Sequence, residues 1–254
     1  MLKHVTRSGL MILLALVISV GLSEQVGATN TWSNYHWART ANPFTVKLGN
    51  NLSSSWQPYL ATSSSDWSDS NVLDTIIVSG RTSSRTCRAS TGRVEVCNAK
   101  YGNNGWLGLA SIWINGDHIT KGTVKLNDTY MQKAPYNSVA EKNHVMCQEI
   151  GHTFGLTHQD ETGAELGTCM DYSSSDNSQH PNAHDYEELE TIYAHLDSTT
   201  TLALSTSNSR SQDRGGDNDN LGVRVHRSRN GRSEIYVRSD VNNQKVVTFV
   251  NLAW

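Results

Sequence analysis

The chain has 254 residues, 37% of them hydrophobic, with 21 Lys and Arg against 24 Asp and Glu and a formal net charge of −3. That length allows one large domain, or a medium one with an appendage, and the apolar fraction suffices for a real core. A charge this close to zero argues against a nucleic-acid partner, which would call for a basic surface.

Lys3 and Arg7 precede an apolar run, Leu10 to Val20, broken only by Ser19, and Val26-Gly27-Ala28 offers small residues for cleavage. The pattern predicts a secretory signal peptide over residues 1–28. Its run of about 11 residues is too short to cross the ~30 Å apolar core of a bilayer. A secreted, extracellular monomer with no membrane span in the mature form is expected, and removing 1–28 leaves a net charge of −4. The four cysteines all lie in the mature part, and an even count in an exported chain predicts two disulfides. Cys87 and Cys97 flank a short polar segment, and Cys147 and Cys169 flank the central motif described below. These two pairs are the favoured choice, although three connectivities remain open.

In chain order, Pro43–Leu48 alternates apolar and polar residues and predicts a strand. Trp56–Trp67 spaces Trp56, Tyr59, Leu60 and Trp67 as a helix, with Pro58 in the first turn where it is tolerated. Val72–Val78 is rich in β-branched residues and reads as a buried strand. Arg93–Cys97 is a short strand. Gly105–Ile114 is a strand with Trp106, Ala110, Ile112 and Ile114 assigned to one face and Leu107, Leu109 and Trp113 to the other. Gly122–Asn127 is a further strand. Ser138 and Glu141 form the S-x-x-E pattern that opens a helix. Val139, Val145, Met146 and Ile150 furnish its apolar side, and Gly155 supplies a left-handed stop. A last helix covers Asn182–Leu196, with Tyr186, Leu189, Tyr193 and Leu196 on one face and Glu187, Glu188 and Glu190 in its early turns. Ser198–Asn220 is polar and predicts a flexible linker. Residues 221–254 predict three antiparallel strands turning near Asn230-Gly231 and Asn242-Asn243. This tail carries six basic residues against two acidic. It reads as a solvated sheet face, with contact to an anionic surface as the alternative.

Gln148 to His158 reads Q-E-I-G-H-T-F-G-L-T-H. Residues four apart on a helix share a face, so Gln148 and His152 can grip one ion. A turn at Gly155 can bring His158 round as a third ligand, and a catalytic zinc needs three protein ligands with one open position. Glu149 points just aside, where a carboxylate can take a proton from a metal-activated water.

This spacing resembles the long zinc signature of the metzincin metallopeptidases, H-E-x-x-H-x-x-G-x-x-H, with Gln148 in place of the first histidine. Thr168-Cys169-Met170-Asp171-Tyr172 is similar to the methionine turn of the same clan. Tyr172 sits where astacin-like and serralysin-like members carry a tyrosine that binds zinc or steadies the oxyanion; matrixins instead place tyrosine directly after the methionine. Gln159, after the third ligand, matches no family within the clan. The resemblance covers most of 40–197. It implies an α+β fold: a mixed twisted sheet, an active-site helix, a methionine turn and a C-terminal helix over 29–197, with the small β meander of 221–254 appended. It implies Zn2+ held by Gln148, His152 and His158, catalysis by Glu149 and Tyr172, and a peptide or protein substrate extended along the Gly105–Ile114 strand. It gives no sign of a cysteine-switch pro-segment before residue 40.

Gln148 leaves three readings open. Its amide oxygen, a weaker zinc ligand than imidazole, coordinates and the site works. Tyr172 or water fills in for it. Or the metal or the activity is gone, and the domain is a binding module for peptides or proteins. His144 lies about 12 Å along the helix from His152, too far to share an ion. His180, His184 and His195, around the last helix, read as surface or capping residues. His36 and His118 have no partner motif. Met131 and Met146 read as core.

Overall fold

The computed structural model describes residues 30–173, 175–202 and 220–254. The expected signal segment and most of the expected linker lie outside them. Strands are β1 (His36–Trp37), β2 (Phe44–Asn51), β3 (Leu73–Ser79), β4 (Val94–Ala99), β5 (Trp106–Asn115), β6 (His118–Asn127), β7 (Val223–Arg227), β8 (Ser233–Ser239) and β9 (Lys245–Leu252). Helices are α1 (Gln57–Trp67), α2 (Asp128–Met131), α3 (Val139–His152) and α4 (Ala183–Ile192). The architecture is mixed α+β. Among the described residues no helix is long and apolar enough to cross a membrane.

All nine strands join one sheet in the order β3-β2-β4-β6-β5-β9-β8-β7, with β1 beside β6. The β2, β3, β4 and β6 pairings are parallel, and the half from β6 through β5, β9, β8 and β7 is antiparallel. The meander of 221–254 forms as expected, but it is continuous with the main sheet: β9 pairs with β5 from Trp106 to Ile114. The cause is visible in β5, which is apolar on both faces and so belongs in the middle of a sheet, with a neighbour on each side. The Val72–Val78 strand is the converse case. As β3 it lies at the sheet edge, and Ile76 and Ile77 are exposed.

One face assignment is corrected. Leu107 joins Ala110, Ile112 and Ile114 in the main core, while Trp106 packs with Leu109 and Val250 on the other side. The register shifts between Trp106 and Gly108, and an extra residue at a β-bulge reverses the alternation on one side of it.

Helices α1 and α3 cover the core face of the sheet, bolted by buried indoles. Trp67 Nε1 donates to the Cys147 carbonyl (3.2 Å) and Trp37 Nε1 to that of Thr153 (2.9 Å). Ser138 caps α3 through the Glu141 amide (3.0 Å). Val139 is exposed rather than part of the apolar side, because it is the first helical residue and precedes the buried stretch that begins at His144. Asn182 and Asp185 form a reciprocal capping box on α4, which ends at Ile192 and leaves Leu196 exposed. Beyond it, Thr201 exchanges hydrogen bonds with the backbone of Ala38, its amide donating at 3.0 Å and its hydroxyl accepting at 3.1 Å. The start of the expected linker is thus tied to the fold. The disulfides are Cys87–Cys97 and Cys147–Cys169, the favoured pairs.

Gly155 turns the chain after α3 at φ +100°, and a Cβ there would lie 2.2 Å from the Tyr35 carbonyl oxygen. Both the conformation and the space exclude a side chain. Gly155→Ala is expected to cost about 1–3 kcal/mol, a fall of several degrees in Tm by thermal unfolding. An unchanged midpoint would show that this turn does not constrain the fold.

Candidate metal centre

Helix α3 runs beneath β5 and β9 with its last two turns wholly buried. Gly151 is what lets it sit so low: a Cβ there would lie 2.7 Å from both the Met170 sulfur and the Trp67 ring. The methionine turn is thereby pressed against the helix. Thr168 accepts the Asp171 amide through its carbonyl and the Met170 amide through its hydroxyl. Cys147–Cys169 fastens the same two elements covalently.

The turn at Gly155 brings His158 back to His152. Their Nε2 atoms are 3.2 Å apart and the rings nearly perpendicular. His152 Nδ1 donates to the Leu156 carbonyl (2.9 Å), which leaves a lone pair on its Nε2. His158 Nδ1 is 2.7 Å from the Tyr172 hydroxyl, whose ring tilts over the imidazole. Tyr172 therefore stands behind His158, on the side away from the Nε2 pair. Burial holds both imidazoles neutral: His152 is pulled down to about 4, and His158 lies well below its ordinary value.

Glu149 is fully buried, and neither carboxylate oxygen has a hydrogen-bond partner among the described residues. Desolvation pushes its carboxyl well above the usual range. It lies under Gly108 of β5, where a Cβ would come within 2.5 Å of Oε1. A bare backbone position thus makes room for the carboxylate.

Gln148 is engaged at both ends. Its Nε2 donates to the carbonyls of Cys169 (2.9 Å) and Asp171 (2.8 Å). These two acceptors fix the amide orientation, since the reverse would set oxygen against oxygen. Its Oε1 accepts from Asn251 Nδ2 of β9 (2.6 Å), and a second lone pair on that oxygen remains. His144, one turn earlier, donates through Nδ1 to Ser178 (2.6 Å) and abuts Gln148, with their Nε2 atoms 3.3 Å apart.

The motif thus brings Gln148, Glu149, His152, His158 and Tyr172 into one region. Its reading missed what the tail contributes. Phe249 stacks on His152 (4.3 Å between centroids, 7° between planes), Asn251 holds Gln148, and Arg232 donates to the Tyr172 carbonyl (2.9 Å). Both edges of β5 are occupied, by β6 and β9, so the strand expected to receive a substrate has no free edge in this conformation. No local signal in 221–254 points to the motif; the tail's apolar alternation only announces strands. Gln159, which matched no family, donates to Asn182 (2.9 Å) and Asp185 (2.8 Å) and ties the segment after His158 to the cap of α4.

The orientation of Gln148 is testable by stability. Gln148→Glu replaces a double donor with a carboxylate facing two carbonyls. It is expected to cost about 2–3 kcal/mol in the presence of a chelator, read as a lower denaturant midpoint. An unaltered midpoint would contradict the assigned orientation.

No family model matches the sequence, and no curated protein matches it. Among solved structures, the chain is similar to one titled "Structure of myroilysin", with a TM-score of 0.38 and 13% identity over 63% of this chain and 97% of that one. A likeness that faint decides neither the fold's family nor the site's chemistry.

Proposed function

We propose that the protein is a secreted zinc-dependent endopeptidase of metzincin type. The observation that carries the reading is the pair of neutral imidazoles, His152 and His158, set Nε2 to Nε2 at 3.2 Å in the same buried region as an unpartnered carboxylate. Two nitrogen ligands of one tetrahedral ion, each bound at about 2.0–2.1 Å, stand roughly 3.3 Å apart. His152 and His158 would hold the ion, and Gln148 Oε1 would join them through the lone pair that Asn251 does not use. The bound ion would supply Lewis acidity that brings a water's pKa toward neutrality.

The chain's own residues account for the rest. Glu149 accepts the proton of the attacking water at a carboxylate oxygen and delivers it to the leaving amine. Its lack of partners keeps those oxygens available, and its desolvation makes them basic. Tyr172 positions His158 through the Nδ1 contact. Leu156 does the same for His152. A peptide extended along β5 would take the place of β9, so cleavage requires β9 to leave. Ser111 and Thr248 face each other across β5 and β9, hydroxyl to hydroxyl at 2.9 Å. The double variant Ser111→Cys, Thr248→Cys should lock the pairing. Peptide cleavage is expected to vanish when that variant is oxidised and return on mild reduction. Cleavage by the oxidised form would place the substrate elsewhere.

A second reading, a metal-free peptide- or protein-binding domain, is favoured by the engagement of Gln148 at both ends. Zinc analysis together with a peptidase assay separates the two. The first reading expects about one equivalent of zinc at this centre, the difference between the native chain and His152→Ala, His158→Ala, and cleavage that is lost in Glu149→Ala. The second is upheld if that difference is nil and the native chain cleaves nothing, while Gln148→His gains about one equivalent and cleavage.

A further inference from the structure

Outside this cleft, donor atoms of four residues come together beside Arg39. His36 and His118 are directly paired residues of the parallel β1–β6 ladder, and His195 and Asp197 follow α4. Asp197 Oδ1 lies 3.5 Å from His36 Nε2, 3.1 Å from His118 Nε2 and 3.8 Å from His195 Nε2. His36 and His195 stand Nε2 to Nε2 at 3.2 Å. The His118 and His195 rings are each nearly perpendicular to that of His36, at 84° and 85°. Ligand atoms around a tetrahedral zinc at about 2.0–2.1 Å are separated by roughly 3.3–3.5 Å. Donor atoms of His36, His118 and Asp197 all lie within 4.8 Å of one another, and His195 adjoins two of the three.

We propose that His36, His118 and Asp197 form a second site for a divalent transition metal of the zinc type, with His195 as its fourth donor. Imidazole and carboxylate are donors that zinc accepts. His195, 3.2 Å from His36 Nε2 and 3.8 Å from Asp197 Oδ1, would complete the set by a small movement of its exposed side chain.

The surroundings are built for this. The His36 ring is only 5% exposed, and its Nδ1 donates to the Asn34 carbonyl at 2.5 Å, which turns a lone pair on Nε2 toward the cluster. Asp197 is held from behind: its Oδ2 accepts from the Arg39 amide and from Nη1, both at 3.1 Å, so Oδ1 is the oxygen facing the imidazoles. Arg39 Nη2 also donates to the His195 carbonyl. Such outer partners orient metal ligands. His118 and His195 are 38% and 55% exposed, so the ion would be reached from solvent on their side. Once bound, it would staple β1, the start of β6 and the segment after α4, three pieces distant in sequence.

The test uses the full chain, stripped with a chelator and titrated with zinc alone. A His152→Ala, His158→Ala variant, which removes the cleft pair, is expected to retain about one zinc per chain. Adding His118→Ala and His195→Ala should abolish it. The native chain carrying only those last two changes should lose one equivalent relative to wild type, and its Tm should lose the rise that zinc gives at this site. Tetrahedral Co2+ absorption should follow the same pattern. The exposed pair is chosen because its truncation leaves the buried anchors His36 and Asp197 in place. The proposal is overturned if the cleft variant, folded by circular dichroism, binds no zinc. It is equally overturned if His118→Ala, His195→Ala leaves the zinc count unchanged. Neither outcome depends on whether the cleft cleaves peptides.

Discussion

Helix α3 carries Gln148, Glu149 and His152 with 1% exposure or less, and every polar atom so buried must find a partner or cost stability. The surrounding structure is arranged to meet that demand. The methionine turn supplies carbonyls to Gln148, the turn after α3 supplies one to His152, and β9 supplies the Asn251 amide. The Cys147–Cys169 disulfide and the close fit of Met170 and Trp67 at Gly151 hold these partners at the required distances. Glu149 is the exception: a carboxyl group without a partner among the described residues costs stability, and such cost is characteristic of sites that do chemistry.

Strand β9 has two roles that pull against each other. It completes the sheet, because β5 is apolar on both faces and cannot stand at an edge without exposing that surface. It also covers the helix, with Phe249 on His152 and Asn251 on Gln148. Displacing β9 would expose that apolar area and break a ladder of backbone hydrogen bonds.

The histidine cluster beside Arg39 shows the same principle in another part of the molecule. Its members are spread from residue 36 to residue 197 and share no motif. Parallel pairing of β1 with β6 and the return of the chain after α4 bring them to one point. His36, His118 and His195 looked unremarkable because spacing along the chain carries no information about pairings of that range.

Local pattern made most elements legible. The alternation of Phe44–Leu48, the S-x-x-E start of α3, the Asn-Gly turn of the tail and the spacing of Gln148, His152, Gly155 and His158 are short-range codes, each read within a dozen residues. The assignment of Trp106 and Leu107 failed because a bulge depends on the partner strand. The exposure of Ile76 and Ile77 was misjudged because strand composition does not reveal position in the sheet. By itself the sequence determined that a helix would carry Gln148, Glu149 and His152 on adjoining positions, and that a glycine turn would return His158 toward them. Only the tertiary structure decided that Gln148 is tethered at both ends, that β9 closes the cleft, and that His36, His118, His195 and Asp197 meet. Those outcomes rest on contacts between segments about 20 to more than 150 residues apart, which are selected by the packing of the whole sheet rather than by any local pattern.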